Sequence, residues 1–215
     1  MKDQALFHRL LIDSLETEPT KGQARQAQIL EAAIKSFATV GIENTTPEKI
    51  AKLCKISRPL VLHYFKDVED IYQLAVQVIR AEFQRMAVLA IEKEKTSTNR
   101  LGAYVNSSLD WTELRPLHTN VWLLFFYRCG FRKADRQLNS QLVDLGHDRI
   151  QALLENGKAA GEFHFEDSFA TAKMIQNVIT GALICRMTEV ESPRLQSVRS
   201  ETIKTCLSLA GARAP

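Results

Sequence analysis

Residues Thr46–Phe65, TPEKIAKLCKISRPLVLHYF, constrain this chain more than any other stretch. Two short helical patterns flank a turn at Lys55, at the spacing of a helix-turn-helix whose second helix is offered to the DNA major groove. Thr46 is a good N-cap, because its hydroxyl can accept one of the free amide protons of the first turn. Pro47 follows at the first helical position, where a missing N–H costs nothing. Ile50, Leu53 and Cys54 recur at the three- and four-residue spacing of a buried stripe, and Ala51 stands where a second helix must cross closely. Ser57 reads as a second N-cap, with Arg58 and Pro59 in the opening turn. Val61 and Phe65, four apart, point inward. Arg58, Leu60, His63 and Tyr64 are left on or near the outward face, and side chains at the exposed start of such a helix reach base edges.

A helical hairpin in a plain bundle shares much of this pattern, so the flanking residues matter. Upstream, Ile29, Ala33, Phe37 and Gly41 form a stripe on a helix from about Gly22 to Val40, with Gly41 as its stop. Downstream, Asp67 can cap a further helix, and Glu69 and Asp70 in its first turn suit the helix dipole. The result is a three-helix unit with the helix-turn-helix as its second and third members.

These residues carry a family resemblance. RQAQILEAAIKSFATVGIENTTPEKIAKLCKISRPLVLHYFKDVEDIYQLAV resembles the N-terminal domain of the TetR/AcrR transcriptional regulators. The matching positions are Ile29, Ala33, Phe37, Gly41, Thr45-Thr46, Ile50-Ala51, Ile56-Ser57, Tyr64-Phe65 and Glu69-Asp70 before Ile71. The resemblance implies an all-α chain: a helix-turn-helix DNA-binding domain over 21–66, then a helical effector-binding and dimerisation domain over 67–215. It also implies a homodimeric repressor, released from a palindromic double-stranded DNA operator by a small-molecule effector. Arg25, Thr46, Lys55, Ser57, Arg58, Pro59, Leu60, His63, Tyr64 and Lys66 are the expected DNA contacts.

Three positions depart from the family pattern. Lys55 stands where the family has a turn glycine, and a left-handed backbone there costs a lysine about 1 kcal/mol. Leu62 replaces a tyrosine that hydrogen-bonds a phosphate, and Val68 replaces a lysine. Phosphate contacts supply affinity and register rather than sequence choice, so these departures bear on binding strength. They also keep open a second reading, a family member with degenerate DNA contacts that acts through protein partners.

Charge agrees with the motif. The whole chain is only +3. Between Lys21 and Lys66, however, eight basic residues stand against three acidic ones, a net of +5 that leaves −2 for the remainder. Positive charge is concentrated where DNA would bind.

Past Asp67 the chain reads as a succession of helices: Asp67 to about Glu94, a second to about Leu114, Leu117–Cys129, about Lys133–Ala160, Ser168–Val190 and Pro193–Ala212. By the resemblance, the last two pair with a second subunit, and Ile175, Ile179, Gly181, Ala182, Cys206 and Leu209 are the expected interface. Core packing within one subunit would use the same residue types. Tyr104, Trp111, Trp122, Phe126 and Tyr127 are candidate lining for an effector pocket, which is typically apolar with a few placed polar groups. The stretch NVWLLFFYR resembles the branch that includes choline-responsive repressors, which implies an aromatic cage for a quaternary amine. Residues 1–20 form an amphipathic extension, with Leu6, Phe7, Leu10, Leu11 and Leu15 on its apolar side.

The remaining features are exclusions. No P-loop, dinucleotide fingerprint or G-x-S-x-G is present, and the five histidines have no metal-ligand spacing, so neither catalysis, a cofactor nor a metal is expected. Asp144 with His147, and Glu162 with His164, read as surface pairs. Cys54, Cys129, Cys185 and Cys206 are scattered, which suits a reducing cytoplasm. No apolar stretch is long enough to span a bilayer, and no signal peptide is expected.

Overall fold

The computed structural model describes residues 20–188 and 193–212; the expected amphipathic segment at Leu6–Leu15 and residues 189–192, including the expected end of a helix at Val190, lie outside them. Among the described residues every regular element is an α-helix. They are α1 (Lys21–Val40), α2 (Pro47–Cys54), α3 (Arg58–Tyr64), α4 (Val68–Glu92), α5 (Ser97–Leu114), α6 (Pro116–Cys129), α7 (Lys133–Ala159), α8 (Ser168–Thr188) and α9 (Pro193–Leu209). None is long and apolar enough to cross a membrane. The described residues divide into two compact units, and α4 and α6 contribute to both: the first takes α1–α3, α4 to Glu82 and Leu117–Phe125, and the second takes the rest.

The first unit is built from short-range signals. Thr20 caps α1 through a reciprocal pair, its hydroxyl accepting from the Gln23 N–H while Gln23 Oε1 accepts from the Thr20 N–H. Gly41 ends α1 at φ 77°, a left-handed backbone that glycine tolerates. Ile29, Leu30, Ala33, Ile34 and Phe37 of α1 are buried with Ile50, Ala51 and Cys54 of α2 and Val61 of α3. Phe37 meets Tyr72 of α4 edge to face, with ring centroids 5.6 Å apart. Between α1 and α2, Thr45 donates its hydroxyl proton to the Gly41 carbonyl at 2.8 Å. Its one proton is thereby used, so Ser36 Oγ, 2.8 Å away, is the donor in the second bond.

The second unit packs α8 against α5, α7 and α9. Leu101, Tyr104, Val105 and Leu109 of α5, Ile150 and Leu154 of α7, Ala172, Ile175 and Ile179 of α8, and Cys206 of α9 form one buried cluster. Phe163, in the turn after α7, completes it by resting on Gly157. That turn is tied down at both sides. Glu162 accepts from the N–H groups of Ser97 (3.0 Å) and Thr98 (2.8 Å) and from the Thr98 hydroxyl (2.9 Å), so it caps α5 from a distant part of the chain. His164 donates its N–H to the Ala210 carbonyl at the end of α9, 3.0 Å away, and Gly211 (φ 62°) packs on the His164 carbonyl.

The two surface pairs expected here are corrected. His147 is buried, with its ring 6.1 Å edge-on from Phe169, and does not pair with exposed Asp144. Glu162 serves α5 and not His164.

Candidate nucleic-acid interface

The turn between α2 and α3 sets the site. Lys55 adopts φ 55° and ψ 44°, the left-handed conformation that the glycine-like position demanded. The Ile56 N–H then donates to the Ala51 carbonyl at 3.0 Å and the Lys55 N–H to Lys52 at 3.2 Å, closing the carbonyls at the end of α2. Thr46 caps α2 as expected, its hydroxyl accepting from the Lys49 N–H at 3.3 Å.

Ser57 behaves differently. It has extended N-cap geometry (φ −80°, ψ 150°), but its hydroxyl makes no capping bond. The reason is local: Pro59 occupies the second helical position and has no N–H. The Leu60 N–H, the next candidate, is spent on the Ser57 carbonyl at 3.1 Å. The exposed hydroxyl is left facing outward.

Leu53 corrects the expected α2 stripe, being 47% exposed. A helix turns about 100° per residue, so Cys54 and Ala51 lie about 40° and 100° to one side of Ile50, and Leu53 about 60° to the other. The core meets only the first side.

On α3 the division is clear. Val61 and, just beyond, Phe65 are buried, while Arg58, Pro59, Leu62 and His63 are exposed and Leu60 and Tyr64 half-buried. His63 and Tyr64 touch edge to face at 5.2 Å. Tyr64 and Phe65 also line a cleft of about 140 Å³ with Gln26, Asp70, Gln73, Leu74 and Gln77. Lys52, Lys55 and Lys66 are exposed and, among the described residues, form no side-chain ion pair. Arg25 lies on α1, half-buried, with its guanidinium donating to Gln28 on the same helix at 2.6 Å. Past α3, Asp67 caps α4 by accepting from the Asp70 N–H at 2.8 Å, and Asp70 accepts in turn from the Lys66 N–H at 3.1 Å.

Sequence reasoning missed one participant. Glu48, second residue of α2, forms an ion pair with Arg58, first residue of α3, at 2.6 Å between Oε1 and Nε. The N–H of Glu48 itself, the Thr46 hydroxyl and the Arg58 charge hold its carboxyl below the usual range. The signal was faint: an acid and a base ten positions apart across a tight turn.

The residues expected to serve an effector and a partner subunit fall in several environments. Tyr104 and Trp111 are buried in the second unit, where Trp111 meets Phe83 edge to face at 5.3 Å. Trp122 is half-buried in the first unit beside Phe125. Phe126 is half-buried, and Tyr127 is 69% exposed beside Phe131. Ile175, Ile179, Ala182 and Cys206, expected at the subunit contact, are enclosed in the core cluster of the second unit. Leu209 is half-buried against that core. Gly181 is exposed, with open space around it. The outward face of α8 carries Ala170, Met174, Asn177, Gly181, Ile184 and Cys185.

Residues 29–75 match the family described as bacterial regulatory proteins, tetR family. Over 105 residues the chain is 27% identical to the HTH-type transcriptional regulator BetI of Burkholderia cenocepacia (strain HI2424), covering 48% of this chain and 54% of that protein. BetI of Klebsiella pneumoniae (strain 342) is 23% identical over 104 residues, 47% of this chain and 53% of that one. The chain thus matches about half the length of these relatives. Among solved structures, a transcriptional regulator from Saccharomonospora viridis in complex with choline superposes with a TM-score of 0.78 at 19% identity, covering 89% of this chain and 99% of that one. A TetR-family regulator from Rhodococcus sp. gives 0.75 at 16%, covering 88% and 100%. Residues 29–75 thus carry the helix-turn-helix domain described for bacterial regulatory proteins of the tetR family, and the all-helical fold is shared with solved regulators of that family.

Proposed function

We propose that this chain is a homodimeric repressor that binds a palindromic DNA operator and is released by a small-molecule effector. The observation that carries the reading is the division of α3. Its inner edge is locked into the core through Val61, and its outer face offers Arg58, Pro59 and His63 beside the exposed Lys52, Lys55 and Lys66. An arginine at the start of a recognition helix has the donor geometry to read guanine, and surrounding lysines and the Ser57 hydroxyl suit phosphates. Residues 21–66 would hold the DNA, and 67–215 would bind the effector and the second subunit.

Two copies suit the task because one short helix makes few base contacts, and a two-fold axis doubles them on a palindrome. The outward face of α8 is the proposed contact, since Met174 and Ile184 leave apolar surface exposed there. Effector binding follows from family membership, and the choline held by one structural neighbour makes a quaternary amine the first probe. Release would proceed by a population shift toward a spacing of the two recognition helices that no longer matches successive major grooves. The lever would be α4.

The alternative, action through protein partners, draws on Leu53 and Leu62, which are 47% and 38% exposed on the helix-turn-helix. One experiment decides. Binding to a fragment carrying the protein's own upstream region is measured across a salt series for wild type and Arg58→Ala. Sequence-specific binding that Arg58→Ala abolishes is expected. Absence of specific binding by wild type at low salt sinks the repressor reading and leaves the alternative.

A further inference from the structure

The contact between Glu48 and Arg58 joins two side chains that are 57% and 58% exposed. An exposed ion pair contributes little to folding, so stability alone gives the pair no reason to stand on this face. Its geometry is specific. The carboxylate makes its ion pair against Nε, the inner nitrogen of the guanidinium, and among the described residues the two terminal nitrogens have no partner. Those two form the fork that meets O6 and N7 of guanine.

An untethered arginine on a DNA-facing helix goes to phosphate readily, because most protein–DNA hydrogen bonds end on the backbone. Glu48 opposes this in two ways. Its charge holds the guanidinium close to the end of α2, and its own negative charge repels the phosphates nearby. The carboxylate remains ionised at neutral pH, held so by its own N–H, the Thr46 hydroxyl and Arg58.

We propose that Glu48 is a specificity-determining positioning residue, which aims Arg58 at a guanine while disfavouring phosphate-only binding. The proposal rests on the DNA-binding reading above and adds a residue from outside the recognition helix.

The test compares wild type, Glu48→Ala and Glu48→Gln on the upstream fragment, on variants with single base pairs changed, and on unrelated duplex, with thermal melting as the check on folding. In Glu48→Ala, affinity for unrelated duplex should rise several-fold. Discrimination at the base pair where Arg58→Ala is insensitive should fall about tenfold, the size of one lost base reading. Glu48→Gln, which keeps an acceptor but no charge, should also bind unrelated duplex more tightly and should retain part of the discrimination. Unchanged discrimination in Glu48→Ala, or an equal loss on every sequence, overturns the role given to Glu48 and leaves the repressor reading standing. Wild type without any sequence preference overturns both.

Discussion

Phe163 occupies the space in which any side chain at Gly157 would begin: a β-carbon at 157 would overlap the ring at three of its atoms. The ring is fully buried, closing the core of the second unit. Gly157→Ala adds one methyl group where there is no room, and overpacking of this kind costs about 1–3 kcal/mol even after the gain in helix propensity. Thermal melting should show the loss. Gly181→Ala on the exposed, open face of α8 is the contrast and should leave the fold intact, with a gain of at most about 1 kcal/mol.

Lys55 sets stability against grip. Lys55→Gly removes the left-handed strain at φ 55° and should raise unfolding stability by at most about 0.5 kcal/mol, the cost of αL for an ordinary residue less the entropy of glycine. If the lysine meets a phosphate, the same change should weaken DNA binding across all sequences. It should also flatten the plot of log affinity against log salt by about 0.9 per half-site. Urea unfolding and salt-dependent binding, run side by side, check both halves.

The outward and inward faces of α8 make opposite predictions. Met174→Glu and Ile184→Glu place charge on exposed positions. They should leave the helical circular-dichroism spectrum unchanged while shifting the sedimenting species from the proposed pair to a single chain. Ile175→Glu puts the same charge into the core and should unfold the second unit, since an unpaired buried charge has no compensation there.

Glu162 links stability to pH. The N–H groups of Thr98 and Ser97 lower its pKa in the folded chain. A depressed carboxyl contributes stability above its unfolded pKa of about 4.3, and the contribution is lost as pH falls through the lower folded value. Glu162→Gln should therefore be less stable than wild type at pH 7, by about 1 kcal/mol as for a lost helix cap. The gap should shrink on acidification below pH 4, as wild type loses its advantage. Urea titrations at several pH values would show a constant gap if the cap were irrelevant.

What the sequence revealed was what neighbours in the chain decide. Thr46, Pro47, Gly41 and Asp67 act within four residues of themselves, and each stands where its chemistry predicts. Leu53 and His147 were misplaced because periodicity finds an apolar arc but not which edge of it meets the core; that is decided by helices elsewhere. Ile175 and Cys206 were ambiguous for a related reason, as the same residue types serve a core or a subunit contact, and here they lie in the core cluster. At the candidate interface, the exposed face of α3 was legible. The free Ser57 hydroxyl required knowing that Pro59 displaces its usual partner, and Glu48 required the fold of the turn that brings it to Arg58.

The bond from His164 to Ala210 has a consequence for the order in which the protein is made. The turn after α7 is finished only when residues 206–211 arrive, some forty residues later in translation. Phe163, Glu162 and the start of α5 depend on that turn. The core of the second unit therefore lacks Cys206 and Ala210 until α9 has emerged, and the first unit lacks Leu117–Phe125 until α6 has. Every part of the first unit is thus synthesised before the parts of the second are complete.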